Sequence, residues 1–184
     1  MEVIILQHPL EENHAKGSGR LLHLSLSGST LLVAETLNAS ALAIIGNPAR
    51  QALLLYPQTN ATNATDALVA TDAANASTKQ RAVDALPARD RTQLRLIVLD
   101  ATWRKSRKML HLNPVLQALP KLWLRDPPPS RYTIRKAQQT HQRSTLEATC
   151  EALHQLGEAP AAIAALLAAF DGFVAQQKLF LPSI

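Results

Sequence analysis

The sequence predicts an α/β fold, a mostly parallel sheet flanked by helices, from two buried strands and one amphipathic helix. Leu96-Ile97-Val98-Leu99 is a continuous apolar run that ends on Asp100, and the pattern turns helical within three residues. Ala52-Leu53-Leu54-Leu55 is a second such run, stopped by Tyr56-Pro57. Towards the end of the chain Ile163, Leu166, Leu167, Phe170 and Val174 recur at helical spacing, a stripe suited to covering a sheet. At 184 residues the chain is long enough for one domain with a sizeable core, and 1–184 is read as a single domain.

The remaining elements follow in order. Val3 to Leu6 reads as a first strand, followed by His8-Pro9 and the glycine-containing turn Gly17-Ser18-Gly19-Arg20, whose backbone N–H groups could converge on an anion. Leu21 to Leu26 suits a short helix and Thr30 to Val33 a strand after the Gly28 turn, with another short element over Ala39 to Ile45. Residues 59–91 begin rich in Ala, Thr and Asn and lack apolar periodicity. They are expected to form a mobile loop or insertion, with a weak helix around Ala64 to Ala74. Asn113-Pro114 ends the helix that follows Asp100. Leu119 to Leu124 reads as a strand, and Asp126-Pro127-Pro128-Pro129-Ser130 as a stiff extended loop. Ser144-Thr145-Leu146-Glu147 matches a capping box, and Leu146, Thr149, Cys150 and Leu153 then share one helical face. Gly157 and Pro160 separate that helix from the last.

Charge is unevenly spread. Residues 89–143 carry 13 Lys and Arg against 3 Asp and Glu, a net +10, whereas the rest carries 6 against 11, a net −5. A basic centre on an otherwise acidic chain points to a polyanionic partner, nucleic acid above all. Cys150 is the only cysteine, which excludes a disulfide framework and a thiolate zinc cluster. His8 and His14 lack an evident third ligand, so no metal is expected. No signal peptide or membrane span is read from the sequence, and a cytoplasmic protein is expected. There is no Walker loop, no G-x-G-x-x-G after a strand and no G-x-S-x-G elbow. Nucleotide hydrolases, Rossmann dehydrogenases and α/β-hydrolase esterases are thereby disfavoured.

Chemistry is expected at the junction after the Leu96–Leu99 strand. Ligands of open α/β folds bind at strand carboxyl ends, which places Asp100 and Trp103 at the mouth of a site. Arg104, Lys108 and His111 fall on one face of the following helix, with Lys105 and Arg107 beside them. Asp100 as a mere cap, Trp103 in the core and the cations as a solvated face remain an alternative at this point. Arg131-Tyr132-Thr133-Ile134-Arg135-Lys136, presented by the proline loop, interleaves cations with an aromatic ring, as phosphate contact and base stacking require. The helix start at Ser144-Thr145 explains itself as a cap, yet it also favours a bound anion.

Asp100-Ala101-Thr102-Trp103 resembles the D-x-T-W signature of the DTW-domain family, and other motifs follow in that family's order. His8-Pro9-x-Glu11 is similar to its H-P-x-E element, and Gly17-Ser18-Gly19-Arg20 stands where N-T-G-R is usual. Leu54-Leu55-Tyr56-Pro57 resembles its strand ending in Y/F-P, and Arg107-Lys108-Met109 follows at the family's spacing. Ser130 to Lys136 resembles S-x-Y-x-I/L-R, and Ser144 to Ala148 resembles S-T-x-E-A. The resemblance implies a SPOUT-like domain with a C-terminal trefoil knot. It also implies transfer of the 3-amino-3-carboxypropyl group of S-adenosylmethionine to N3 of a tRNA uridine, releasing 5′-methylthioadenosine.

Under that resemblance Asp100 is the candidate base or orienting acceptor, Thr102 holds Asp100 or the uracil edge, and Trp103 stacks on the base or walls the pocket. The co-substrate is expected along Leu54, Tyr56, Pro57, Ser130, Tyr132 and Ile134, with Arg135 or the helix start at Ser144 and Thr145 holding its carboxylate. Arg104, Lys105, Arg107, Lys108, Arg131, Lys136 and Arg143 are expected on the RNA. The partners implied are tRNA and S-adenosylmethionine, with no membrane and no metal, in a monomer or homodimer. The cysteine-rich zinc segment that begins many bacterial relatives is absent, and Gly17-Ser18 replaces Asn-Thr. A SPOUT-like RNA methyltransferase, an enzyme acting on ribosomal RNA and an RNA-binding module without catalysis remain alternatives.

Overall fold

A computed structural model describes residues 1–14, 17–57, 80–82, 92–132 and 143–179, the segment 80–82 by its backbone alone. The strands are β1 (Glu2–Gln7), β2 (Ser29–Val33), β3 (Gln51–Leu55), β4 (Gln80–Ala82), β5 (Leu94–Asp100) and β6 (Lys121–Trp123). They form one sheet in the order β2-β1-β5-β3-β6-β4, and every pairing is parallel. All carboxyl ends therefore share one edge. The helices are α1 (Ser18–Ser25), α2 (Ala39–Ile45), α3 (Trp103–Leu112), α4 (Pro114–Ala118), α5 (Thr145–Gln155) and α6 (Pro160–Leu179), with a 3-10 turn over Pro9–Glu11.

Two apolar clusters cover the two faces of the sheet, as the period-two alternation of buried strands requires. Val3, Ile5, Leu53, Leu96 and Val98 face α1, α5 and α6, joining Leu22, Leu146, Cys150, Leu153, Leu166 and Phe170. Ile4, Leu6, Leu54 and Ile97 face the other way, onto Ala41 and Ile45 of α2, Met109 and Leu110 of α3, and Leu116 of α4. The chain leaves β1 towards α1 on one face and leaves the neighbouring β5 towards α3 on the other. The crevice between such diverging connections is where open α/β sheets bind ligands.

Buried polar groups hold the layers in register. Arg95, 3% exposed in the central strand, donates through Nε to Glu2 at 2.7 Å and through its guanidinium to the carbonyls of Ile45 and Asn47 at 3.1 Å each. It thereby meets the end of α2, where helix carbonyls lack partners. Asn113 does more than end α3. Its Oδ1 accepts from the Leu37 amide at 2.8 Å, and its Nδ2 donates to the carbonyls of Glu35 and Met109.

Several expectations are corrected. Gly17 to Arg20 is no flexible turn: Gly17 is the extended residue preceding α1, and Ser18 begins the helix. Pro114 starts a further short helix, since proline suits the first helical position. A three-residue strand, β4, stands at the sheet edge inside the 59–91 stretch; the rest of that expected loop, including its weak helix, lies outside the described residues. The expected strand over Leu119 to Leu124 is confined to Lys121–Trp123. Helix α6, with a mean hydropathy of 1.2 over its most apolar window, is long and apolar enough to cross a membrane. Its Ile163, Leu166, Phe170 and Val174 are nevertheless buried against this domain's own core.

Candidate functional site

An open cleft of about 260 Å³ lies at the carboxyl ends of β1 and β5. Glu11 and His14 line it from the segment after β1, Gly17 and Ser18 from the start of α1, and Asp100, Ala101 and Thr102 from the end of β5. Lys105 enters from α3, Tyr132 from the loop after β6, and Thr145 from the start of α5.

Asp100 is the centre of this arrangement. Leu96, Val98 and Asp100 alternate onto one face of β5, so the carboxylate continues the apolar row and emerges beside α1 and α5. Gln7 is its register partner on β1 and donates Nε2 to Oδ2 at 2.7 Å. Thr145 donates its hydroxyl to Oδ1, also at 2.7 Å. The carboxylate is 6% exposed and faces Gly19 so closely that a Cβ there would stand 2.2 Å from Oδ2. Glycine at position 19 is therefore a packing requirement of the aspartate. Asp100 does not cap α3: Thr102 occupies the N-cap position, without a side-chain capping bond.

Glu147 organises the opposite wall. It completes the capping box with Ser144, whose amide and hydroxyl donate to Oε2 at 3.0 and 2.9 Å. It also accepts from the Ser130 hydroxyl at 2.8 Å and from the Arg131 amide at 2.5 Å. The loop carrying Tyr132 is thus fastened to the start of α5, and Tyr132 packs on Phe170 with ring centroids 5.3 Å apart. The α5 start is largely engaged by its own cap, and Arg143 beside it is half-buried.

Trp103 is neither in the core nor in the cleft. It is 48% exposed and stacks on Tyr56, centroids 5.5 Å apart and planes 22° apart, on the sheet face opposite Asp100. Lys121 lies 5.6 Å from the Tyr56 ring centre, and Pro57 is exposed beside it. Leu54 is fully buried, so its side chain belongs to the core and cannot reach a ligand. Tyr56 and Pro57 therefore form a second patch, separate from Tyr132, Ser144 and Thr145. Ile134, Arg135 and Lys136 lie outside the described residues.

The cations are distributed unequally. Lys105 pairs with Glu11 at 2.7 Å inside the cleft. Lys108, on the outer face, pairs with Glu35 at 2.9 Å, and His8 Nε2 meets the same carboxylate at 2.9 Å. His8 Nδ1 accepts from the Leu10 amide, which assigns the ring proton to Nε2 and makes His8 the donor to Glu35. The hydrogen bond from Lys108, then that from His8, holds the Glu35 carboxyl below its ordinary value. Arg131 pairs with Asp171 at 3.2 Å, Arg104 is exposed and Arg107 is half-buried. Among the described residues, no group of three or more His, Cys, Asp or Glu side chains converges as a metal site would require.

The profile of the DTW domain matches residues 1–178, nearly the whole chain. The chain belongs to the DTW domain family. That family is linked to tRNA-modifying enzymes. Curated proteins and solved structures give no match. In this DTW domain Glu11, Gly17, Ser18, Asp100 to Thr102, Tyr132 and Thr145, drawn from five of the family's motifs, line one cleft, while Trp103 lies across the sheet with Tyr56-Pro57. Gln7 is not among the expected site residues, and Lys105, expected on the RNA, is instead paired with Glu11 in the cleft. Gln7 carried one signal, a polar residue at the inward position of an otherwise apolar Val3-Ile5 row. The pair joins residues 94 apart in sequence, which no local pattern announces.

Proposed function

We propose that this DTW domain transfers the 3-amino-3-carboxypropyl group of S-adenosylmethionine to N3 of a uridine in tRNA, releasing 5′-methylthioadenosine. One observation carries the reading. A carboxylate at a strand end, fixed on both oxygens by Gln7 and Thr145, opens on a cleft lined by hydroxyls and an ion pair. The donor set suits S-adenosylmethionine in kind, because Ser18, Thr102, Thr145, Glu11 and Lys105 offer partners to a ligand that is polar and doubly charged at one end. When bound, the sulfonium supplies an electrophilic carbon.

Asp100 orients the uracil and accepts the N3 proton. Each of its oxygens retains a lone pair beyond the bond it accepts, and the two fixed bonds prevent the carboxylate from turning away. Gln7 and Thr145 are positioning residues, and Thr102 holds the uracil edge. Most of the rate comes from orientation, since the displacement needs the nucleophile in line with the carbon–sulfur bond. Ser130 and Tyr132 lie beside the nucleoside, and Ile134 and Arg135, outside the described residues, are assigned to the same co-substrate. The exposed ring of Trp103, with Tyr56, Pro57 and Lys121, offers a second stacking surface outside the cleft. Arg104, Arg107, Lys108, Arg131, Lys136 and Arg143 meet RNA phosphates, and the surface pairs of Lys108 and Arg131 exchange readily for such contacts. A SPOUT-like architecture with a C-terminal knot and a cytoplasmic location, as a monomer or homodimer, complete the reading.

The by-product tests it. Incubation with tRNA and S-adenosylmethionine should release 5′-methylthioadenosine in proportion to RNA modified. Release of S-adenosylhomocysteine instead would make the protein a methyltransferase.

A further inference from the structure

We propose that the Glu11–Lys105 ion pair is the clamp for the amino-acid end of the donor, Lys105 taking its carboxylate and Glu11 its ammonium. This rests on the donor reading above and assigns a specificity element within the same cleft. Glu11 closes the 3-10 turn after β1, and Lys105 stands in the first turn of α3. They enter the cleft from the two strands that flank it, Nζ to Oε1 at 2.7 Å, with side chains 27% and 15% exposed. Lys108, one turn further along the same helix, has a side chain 59% exposed and pairs outside the cleft. Among the described residues, the Glu11–Lys105 pair lines the cleft and the Lys108–Glu35 pair does not.

A partly buried ion pair loses solvation on both members and adds little net stability, so stability alone is a weak reason to place one in a cleft wall. Recognition is a better one. An α-amino acid holds its ammonium and carboxylate on a single carbon, at a separation comparable with that of this pair. Laid against it with opposite polarity, the ligand forms a closed square of alternating charges. Lys105 uses one of three donor hydrogens on Glu11, which leaves donors for a carboxylate. Thr102 and Thr145 add hydroxyls nearby. Gripping this end decides which carbon beside the sulfonium turns towards Asp100, the choice that separates aminocarboxypropyl transfer from methyl transfer.

Calorimetric titration of the full chain with S-adenosylmethionine and with 5′-methylthioadenosine, which lacks the amino-acid group, tests the clamp. The native protein should prefer S-adenosylmethionine. Glu11→Gln and Lys105→Gln should each weaken it by about tenfold or more, the usual size of a lost charge-assisted bond, and leave methylthioadenosine within about twofold. The swapped double variant E11K/K105E retains an ion pair, and with it the fold, yet should lose S-adenosylmethionine in the same selective way. Equal effects on both ligands, or no effect, would overturn the clamp. Native protein that binds both ligands equally overturns the clamp but keeps the nucleoside reading; native protein that binds neither overturns the proposed function as well.

Discussion

Asp100 receives one 2.7 Å hydrogen bond from β1 and one from the start of α5, and it presses on the backbone of α1. Each contact predicts a distinct phenotype. Asp100→Asn should cut transfer by about a hundredfold or more, the usual range for a lost proton acceptor. Calorimetry should show S-adenosylmethionine still bound, and turnover close to the native value would remove Asp100 from the chemistry. Gly19→Ala acts differently, by thrusting a methyl into the carboxylate. It should destabilise the domain by about 1–3 kcal/mol and lower activity together, because the aspartate must move. A denaturant titration that leaves the midpoint unchanged would contradict the packing. Cys150, by contrast, is chemically quiet: burial first, then the nearby Glu147 and Glu151 charges, pushes its thiol up to about 12.

The start of α5 shows how an ordinary local device is extended into tertiary structure. The capping box at Ser144 and Glu147 was legible from four letters, yet the bonds from Ser130 and Arg131 to the same carboxylate were not, because they arrive from a loop 16 and 17 residues earlier. Glu147→Gln should therefore cost about 1–3 kcal/mol, more than a cap alone, through weakened bonds to the partly buried Ser130 and Arg131 donors as well as to Ser144. Hydrogen exchange should quicken at the Arg131 and Tyr132 amides. Acceleration confined to the first turn of α5 would show that the loop is held by other contacts. The same distinction runs through the fold. Strands β1, β3 and β5 were legible as unbroken apolar runs, α3 from cations recurring on one face, and α5 and α6 from apolar residues at helical spacing. Helix α4 and strand β4, of five and three residues, are too short for any period to show. Trp103 was read beside Asp100, but the turn between strand and helix sends it to the opposite face, against Tyr56.

At the scale of the molecule, the parallel sheet brings segments from residue 11 to residue 145 to one edge, and the cleft is assembled there from every layer. The basic segment 89–143 carries α3, whose Lys105 enters the cleft. This convergence is the physical argument for a modification enzyme that meets a polyanion and a charged small molecule at one place. Sequence motifs named the segments; only the sheet order explains why they meet. The decisive measurement is the nucleoside mass of unmodified tRNA transcript after incubation with the protein and S-adenosylmethionine. A uridine heavier by one aminocarboxypropyl group should be formed by the native protein and lost in Asp100→Asn. A uridine heavier by one methyl group, or tRNA unchanged in mass by a protein that binds the co-substrate, would contradict the proposed transfer.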